Sequence, residues 1–151
     1  YAGLMIDESN EVKVLEYNCR FGDPETQPIM MRLKSNLALL CIAATQGRLD
    51  KVAVEWDERA CLGVVMAADG YPEKYAKGEK IELPNDSFNA KIFHAGTKLK
   101  NNNIYSNGGR VLCATALGKD IQQAQTKAYK FLEKVDWQGA YYRTDIGFKA
   151  I

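Results

Sequence analysis

The sequence carries almost no net charge, because 20 lysines and arginines stand against 19 aspartates and glutamates. This balance gives no electrostatic reason to expect nucleic acid or an anionic membrane as a partner. An uninterrupted apolar run of about eighteen residues is also absent, so no membrane-spanning helix is predicted. The apolar stretch at residues 1–6 is too short for a signal peptide. We therefore expect a cytoplasmic protein.

Several common sites are excluded by residue spacing. The four cysteines are widely separated and lie within apolar runs, which favours buried free thiols over a zinc site or a secreted disulfide framework. His94 is the only histidine, and a lone histidine on a strand is more often packed or hydrogen-bonded than catalytic. The chain contains no glycine-rich phosphate loop, no Walker lysine and no internal repeat.

One segment, residues 15–28, has a composition that points to chemistry; it reads L-E-Y-N-C-R-F-G-D-P-E-T-Q-P. Residues 13–19 are predicted to form a strand, and alternation along a strand would place Glu16, Asn18 and Arg20 on one face. Carboxylate and carboxamide oxygens two positions apart are ligands that Mg²⁺ or Mn²⁺ accepts, with phosphates and water completing the shell. Arg20 would add a fixed cation to the same face.

The strand is followed by turn-forming residues. Gly22 is expected to take a positive φ, and Pro24 is expected to hold Asp23 in an extended conformation. Asp23 and Glu25 would then lie on a stiff loop, before a helix that has Pro28 in its first turn and a start that favours anions. The same residues also fit an ordinary surface loop, in which Asp23 caps a turn and Glu25 forms a surface ion pair.

The rest of the first part of the chain is predicted to be a scaffold. Residues 1–6 form a strand that pairs with the strand just described. Helices are expected at residues 28–34 and 36–46, and Ser35 can begin the second helix while Gly47 can end it. Because this second helix is apolar nearly all round, it should be buried on several sides.

The pattern changes near Ala60 to short strands separated by turns, which predicts a mainly antiparallel second part. Strands are expected at residues 61–68, 91–95, 104–106 and 110–117. Gly108, Gly109 and Arg110 could approach a phosphate, but a glycine pair between strands is first of all expected in a hairpin turn. Asp120 and Gln123 resemble a capping box at the start of one docking helix. The tail, residues 140–151, is expected to lie across the sheet.

Residues 15–28 resemble the signature of the phosphoribosylamine-glycine ligase family, within the ATP-grasp superfamily. Further similar motifs are Y-A-G-L-M at Tyr1, W-D-E-R-A-x-L-G-V-V-M-A-A at Trp56, H-A-G-T at His94, G-G-R-V-L at Gly108 and D-I-G-F-K-A-I at the end. The resemblance covers essentially the whole chain. It implies an α+β fragment, with residues 1–59 ending an ATP-grasp domain and residues 60–151 forming a small, mainly antiparallel, barrel-like C-terminal domain with one docking helix.

The resemblance also implies an activity, that of an ATP-dependent ligase of purine biosynthesis. Such an enzyme joins glycine to 5-phosphoribosylamine through a glycyl phosphate and releases glycinamide ribonucleotide, ADP and phosphate. It implies metal ligation by Glu16 and Asn18, with Mg²⁺ or Mn²⁺ as the ion. It implies that the catalytic Arg20 holds the glycine carboxylate or the acyl phosphate, and that Asp23 and Glu25 bind the substrate amines. The ATP pocket would lie in an N-terminal part of the same enzyme, so this chain alone is expected to be inactive.

Two other functions stay open at this point. The chain could be a non-catalytic binding or assembly module, in which the signature residues serve packing only. It could also belong to an ATP-grasp ligase or carboxylase that acts on another small carboxylate. Biotin carboxylases carry a related E-x-N-x-R, but their following loop differs from F-G-D-P-E, the sequence of residues 21–25.

Overall fold

The computed structural model describes residues 1–151 and has an α+β fold in which every strand pair is antiparallel. The strands are β1 (Ala2–Ile6), β2 (Val12–Tyr17), β3 (Ala60–Ala68), β4 (Lys80–Ile81), β5 (Ala90–His94), β6 (Thr97–Lys100), β7 (Asn103–Ser106), β8 (Arg110–Gly118) and β9 (Ala140–Tyr141). The helices are α1 (Thr26–Arg32), α2 (Leu37–Thr45) and α3 (Ile121–Leu132). None of the helices has both the length and the apolar character needed to cross a membrane.

The predicted N-terminal hairpin is confirmed, with β1 and β2 forming a two-stranded sheet. Its turn is held by the Asp7 carboxylate, which accepts hydrogen bonds from the backbone N–H groups of Ser9 and Glu11 at 3.0 Å each. Strand β2 ends at Tyr17, two residues earlier than predicted. The chain nevertheless stays extended beside β1 for one more pair, because the backbone N–H of Asn18 donates to the carbonyl of Tyr1 at 2.8 Å.

The start of helix α2 is set by a capping side chain, and its end is set by a glycine. Asn36, not Ser35, is its N-cap, and the Asn36 side chain accepts from the N–H groups of the second and third helical residues. The Ser35 hydroxyl instead accepts from the backbone N–H of Glu55 at 2.7 Å, so it is unavailable for capping. Gly47 has a φ of +63° just after the helix, as its predicted role at the C-terminus requires.

The prediction that α2 is buried on several sides is wrong for this chain. Ala43 is its only buried residue, and its large side chains Leu37, Leu39 and Ile42 are exposed. No other segment of residues 1–151 covers these side chains in this fold. Apolar side chains of the β1–β2 hairpin are exposed as well, including Leu4, Ile6, Val12, Val14 and Leu15.

Residues 60–151 form two sheets. The larger has the order β5-β8-β3-β9, and the smaller has the order β4-β7-β6. The four strands predicted for this part are present, whereas the two-residue strands β4 and β9, and the edge strand β6, were not predicted. The glycines at 108–109 do not form a hairpin, because they connect β7 and β8, which belong to different sheets. The barrel-like arrangement stays a prediction.

Gly108 allows a close contact between two backbone segments and does not lie in a hairpin turn. A Cβ atom built on Gly108 would lie 3.0 Å from the Cα of Gly96, so the two backbone segments touch where the chain passes from one sheet to the other. The backbone N–H of Asn107 donates to the Gly96 carbonyl at 2.7 Å and fixes the crossing. This contact places the start of β8, and therefore Arg110, at a defined position.

The hydrophobic core lies between the four-stranded sheet and α3. Its fully buried large side chains include Val64, Met66, Val111, Leu112, Leu117 and Leu132. The predicted docking helix is confirmed, and the Asp120 carboxylate accepts from the N–H of Gln123 at 2.7 Å. The Gln123 side chain accepts from the N–H of Lys119, one residue before the position that a capping box uses.

The C-terminal tail lies against the sheet and α3, as predicted. Strand β9 pairs with β3, and the hydroxyl of Tyr129 on α3 donates to the carbonyl of Arg143 at 2.7 Å. The same hydroxyl accepts from the backbone N–H of Ile146 at 3.1 Å, and the carbonyl of Ile146 accepts from Gln125 at 2.8 Å. These bonds hold the tail along α3.

All four cysteines are free, but the prediction of burial is correct for only part of them. Cys113 is buried and Cys61 is half-buried, whereas Cys19 and Cys41 are exposed. Burial raises the pKa of the Cys61 thiol to about 11. The exposed pair lies in the first part of the chain, which also has exposed apolar side chains.

Candidate functional site

Glu16 lies on β2 opposite Gly3 of β1. Because Gly3 has no side chain, the Glu16 side chain can lie close to the β1 backbone. A Cβ atom on Gly3 would lie 3.1 Å from the Cγ of Glu16, which is closer than nearly all such contacts in proteins. Two residues further along, the Asn18 carbonyl lies 2.7 Å from the backbone nitrogen of Tyr1. The backbone is therefore regularly paired from Glu16 to Asn18, which places both side chains on one face.

The side chain of Tyr1 contacts both Glu16 and Arg20. The Tyr1 hydroxyl lies 3.2 Å from a carboxylate oxygen of Glu16, and the Arg20 guanidinium carbon lies 5.5 Å from the centre of the Tyr1 ring. Glu16 and Arg20 thus contact the same side chain, one at its hydroxyl and the other at its ring. The Arg20 guanidinium donates to the Phe21 carbonyl at 3.2 Å and takes part in no ion pair, so it is open to an anion.

Glu16 and Asn18 fit a Mg²⁺ or Mn²⁺ site in which substrate completes the coordination. The buried amide nitrogen of Asn18 has no hydrogen-bond partner within residues 1–151, but this N–H donor can serve only an acceptor such as a substrate oxygen, and an ion would be bound by the carboxamide oxygen. No cluster of three or more histidine, cysteine or acidic residues could hold an ion by itself. Magnesium is commonly bound by one or two protein carboxylates together with phosphates and water, which matches a two-residue donor set.

The loop after Arg20 is shaped by a glycine, but for a different reason than predicted. Gly22 does not have a positive φ. A Cβ atom on Gly22 would collide with the Glu25 carboxylate, so only glycine lets that carboxylate lie against the loop. The hydroxyl of Thr26 donates to the Gly22 carbonyl, and the peptide bond between Asp23 and Pro24 is cis.

Asp23 forms an ion pair with a residue of the second part of the chain. Its carboxylate lies 2.6 Å from the guanidinium of Arg110, at the start of β8, and the two side chains are 56% and 49% exposed. The surface ion pair that was considered for Glu25 is therefore made by Asp23 instead. Glu25 takes part in no ion pair.

Two open cavities flank the loop. The first, of about 410 Å³, is lined by Glu25, Arg32, Trp56 and Cys61 with two apolar residues of α1. The second, of about 270 Å³, lies beyond Pro24 and includes Arg110, Arg143 and three tyrosines. Of the two acidic residues of the loop, Glu25 therefore lines space that is large enough for a small substrate, whereas Asp23 lines neither cavity.

Helix α1 fixes the loop to the large sheet. It packs against β3 and β8, and a Cβ atom on Gly63 would lie 3.3 Å from the Cγ of Pro28. Pro28 is the third residue of α1 and lies in its first turn, as predicted. The N-cap residue Glu25 makes no side-chain hydrogen bond to the helix, so its carboxylate is directed elsewhere.

His94 lies away from these residues, on β5. Its Nδ1 atom is 3.1 Å from the Thr97 hydroxyl, and the side chain is exposed. The lone histidine is thus a hydrogen-bonded strand residue, as expected from the sequence.

A family model described as phosphoribosylglycinamide synthetase, C domain, matches residues 61–149. A second, described as phosphoribosylglycinamide synthetase, ATP-grasp (A) domain, matches residues 1–26. The chain belongs to the phosphoribosylglycinamide synthetase family. The ATP-grasp match ends inside the signature segment, so Glu16, Asn18, Arg20, Asp23 and Glu25 all lie within it.

Proteins similar to this chain carry the name phosphoribosylamine-glycine ligase. That of Vibrio cholerae is 58% identical over 153 residues, and that of Pseudomonas aeruginosa is 57% identical over the same length. Each match covers 100% of this chain and 36% of the relative. The chain therefore spans little more than a third of the length of these relatives.

A solved structure of this family has the same fold. The crystal structure of phosphoribosylamine-glycine ligase from Thermotoga maritima matches with a TM-score of 0.75 and 35% sequence identity. The match covers 95% of this chain and 35% of the crystallised chain. Both parts of the present structure, the hairpin with its helices and the two sheets, fall within a family member of known fold.

Tyr1 is the residue of this site that sequence analysis did not identify. Regular pairing across the turn at Asp7 would bring Tyr1 opposite Tyr17, and only the register shift between Gly3 and Leu4 brings it opposite Asn18, so the sequence pattern alone could not find this contact. Nothing in the sequence pairs Arg110 with Asp23. That contact joins residues far apart in the chain and emerges only from the fold.

Proposed function

We propose that the chain is the C-terminal portion of a phosphoribosylamine-glycine ligase, a cytoplasmic ATP-dependent enzyme of purine biosynthesis. The observation that carries this proposal is that Glu16, Asn18 and Arg20 lie inside the segment that matches the ATP-grasp family model, where Glu16 and Arg20 contact the same tyrosine, Tyr1. Residues 1–59 would end the ATP-grasp domain, and residues 60–151 would form the barrel-like C-terminal domain. ATP and the remaining catalytic groups would be bound by the part of the enzyme that relatives have outside the matched region.

Glu16 and Asn18 are proposed as ligands of Mg²⁺ or Mn²⁺. The reaction begins when the anionic carboxylate of glycine attacks the anionic γ-phosphate of ATP, and a bound divalent cation would offset their repulsion. The support for this role is chemical, because the Glu16 carboxylate and the Asn18 carboxamide offer oxygen ligands two positions apart.

Arg20 is proposed to hold the glycine carboxylate or the acyl phosphate formed from it. Its guanidinium is free of carboxylate partners and is oriented by the Tyr1 ring, so its donors can form a paired contact with a planar anion. Because arginine stays protonated at any working pH, this positive charge would be present throughout the reaction.

Asp23 and Glu25 are proposed to bind the amino groups of glycine and 5-phosphoribosylamine. The amine of 5-phosphoribosylamine must lose a proton as the amide forms, and a nearby carboxylate can accept it. Glu25 is the better placed of the two for a substrate, because it lines an open cavity and has no ion-pair partner. Asp23 would have to exchange its contact with Arg110 for one with substrate.

The proposal is tested in a full-length chimera, in which this chain replaces the 153 matched residues of the Vibrio cholerae relative. Glycine-dependent release of ADP is measured for the chimera and for Glu16→Gln, which keeps the shape of the side chain but removes its charge. We expect a loss of about 100-fold or more, because a metal ligand contributes several kcal/mol to phosphoryl transfer. Glu8→Gln, on the exposed hairpin turn, is the matched control and should stay fully active.

Two results would contradict the proposal. A Glu16→Gln chimera that is active within a few-fold of the unmodified chimera would remove the metal role of Glu16. A folded chimera that releases no ADP, while the complete Vibrio cholerae enzyme does, would favour a non-catalytic module instead. Replacing glycine with other small carboxylates in the same assay distinguishes the third possibility, a ligase with another substrate.

A further inference from the structure

Tyr1 contacts each of the three residues Glu16, Asn18 and Arg20. Its hydroxyl lies 3.2 Å from Oε1 of Glu16, its ring lies beneath the Arg20 guanidinium at 5.5 Å, and its backbone pairs with Asn18 at 2.7 and 2.8 Å. No other side chain in the structure donates a hydrogen bond to the Glu16 carboxylate or stacks on Arg20. One tyrosine thus stands between the proposed metal ligand and the proposed anion-binding group.

We propose that Tyr1 is a positioning residue of this site, which sets the orientation of Glu16 toward a divalent cation and holds Arg20 beside it. The inference depends on the proposed function, since it assigns the support for the ligands named there. The Tyr1 hydroxyl donates to Oε1 and leaves Oε2 free for the ion. Partners of this kind fix a ligating carboxylate, and their loss typically costs about 10- to 100-fold in metal affinity.

The surroundings of Glu16 agree with this role. Gly3 on the adjoining strand has no side chain, and a Cβ there would approach the Glu16 Cγ to 3.1 Å, so the stem of Glu16 passes close to the β1 backbone. The stem is confined by β1 at one end, and the carboxylate is held by the Tyr1 hydroxyl at the other. A carboxylate held at both ends loses little conformational freedom when it binds an ion.

Arg20 is held by a different part of the same side chain. Its guanidinium contacts the face of the aromatic ring, which attracts cations through its quadrupole whether or not the ring carries a hydroxyl. Phenylalanine would therefore keep the contact with Arg20 and lose only the hydrogen bond to Glu16. Leucine would lose both, so the two substitutions separate the two contacts.

The test uses the full-length chimera with Tyr1→Phe, Tyr1→Leu and, as a matched control, Tyr17→Phe, because Tyr17 is 76% exposed on the same hairpin. Binding of Mn²⁺ in the presence of a non-hydrolysable ATP analogue is measured by electron paramagnetic resonance, and the KM for glycine is measured separately. We expect Tyr1→Phe to weaken Mn²⁺ binding about 10- to 100-fold while the KM for glycine stays within about twofold. Tyr1→Leu should also raise that KM about two- to fivefold.

The outcomes separate this inference from the proposed function. If Glu16→Gln loses Mn²⁺ binding but Tyr1→Phe binds Mn²⁺ as the unmodified chimera does, the role of Tyr1 is wrong and the proposed function stands. If Glu16→Gln itself binds Mn²⁺ normally, the proposed metal site is wrong and the inference fails with it. Gly3→Ala gives an independent check, because its methyl group should displace Glu16 and weaken Mn²⁺ binding while Tyr1 is intact.

Discussion

Asp23 has two roles in the account above, and replacing it with asparagine separates them. In the structure it pairs with Arg110 at 2.6 Å, and both side chains are about half exposed. Ion pairs between exposed groups contribute about 0.2–1 kcal/mol, so Asp23→Asn and Arg110→Gln should each lower the free energy of unfolding by no more than about 1 kcal/mol. If the ion pair were the whole role of Asp23, activity should change by no more than about fivefold.

Binding of a substrate amine predicts a larger loss. A hydrogen bond to a charged group contributes about 1.5–3 kcal/mol, which corresponds to about 10- to 150-fold in kcat/KM. The assay is glycine-dependent ADP release by the full-length chimera, run beside urea unfolding of each variant. We expect Asp23→Asn to lose at least tenfold in kcat/KM while its stability stays within about 1 kcal/mol of the unmodified protein.

Asp145→Asn provides the matched control for this experiment. Asp145 pairs with Arg143 at the same distance of 2.6 Å, and these side chains are 49% and 61% exposed. Its substitution should cost as little stability as that of Asp23 and leave kcat/KM unchanged. A loss of less than about fivefold in the Asp23→Asn chimera would refute the substrate role, because the ion pair alone would then account for it.

Two further predictions concern stability. Hydrogen bonds from Arg59 hold the pKa of the Asp57 carboxyl well below its ordinary value of 3.8, so Asp57 stabilises the fold above that pH and loses this contribution as the pH falls toward its folded pKa. Asp57→Asn should therefore lower the Tm at neutral pH, and this difference should shrink below about pH 3.8; a difference that grows on acidification would contradict the argument. Leu132→Ala should cost about 2–5 kcal/mol in urea unfolding because Leu132 is 1% exposed, whereas the exposed Lys130→Ala should stay within about 0.5 kcal/mol. A cost below about 1 kcal/mol for Leu132→Ala would mean that the core beneath α3 is less well packed than the structure shows.

The elements that sequence predicted well are those whose own residues carry the signal. Strands β3 and β8 are long apolar runs, and α3 has a helical period after a capping aspartate, so local patterns were sufficient. Strands β4 and β9 have two residues each, which is too short for alternation to be visible. The link at Gly108 was misassigned because glycines between two strands also occur where a chain passes from one sheet to another.

The site residues stay a prediction, and the contacts around them could not be predicted from the sequence. Alternation along the predicted strand, residues 13–19, put Glu16, Asn18 and Arg20 on one face, but β2 ends at Tyr17, and Arg20 lies near Glu16 through their shared contact with Tyr1. Two adjacent residues could cap α2, and only the fold shows that the Ser35 hydroxyl is occupied by the backbone of Glu55. The burial expected for α2 depends on residues that could cover it, and none among residues 1–151 does so.

The packing of α1 on β3 and β8 has a mechanical consequence. Asp23 is tied to β8 through Arg110, and Glu25 stands at the start of a helix seated on the same sheet, whereas Glu16 belongs to the separate β1–β2 ribbon. A rotation of the large sheet relative to the β1–β2 hairpin would therefore move Asp23 and Glu25 together, while Glu16 would stay with the hairpin. Residues 18–22 connect the hairpin to the loop, so the stiffness of this segment would determine how reproducibly Glu16 is positioned relative to Asp23 and Glu25.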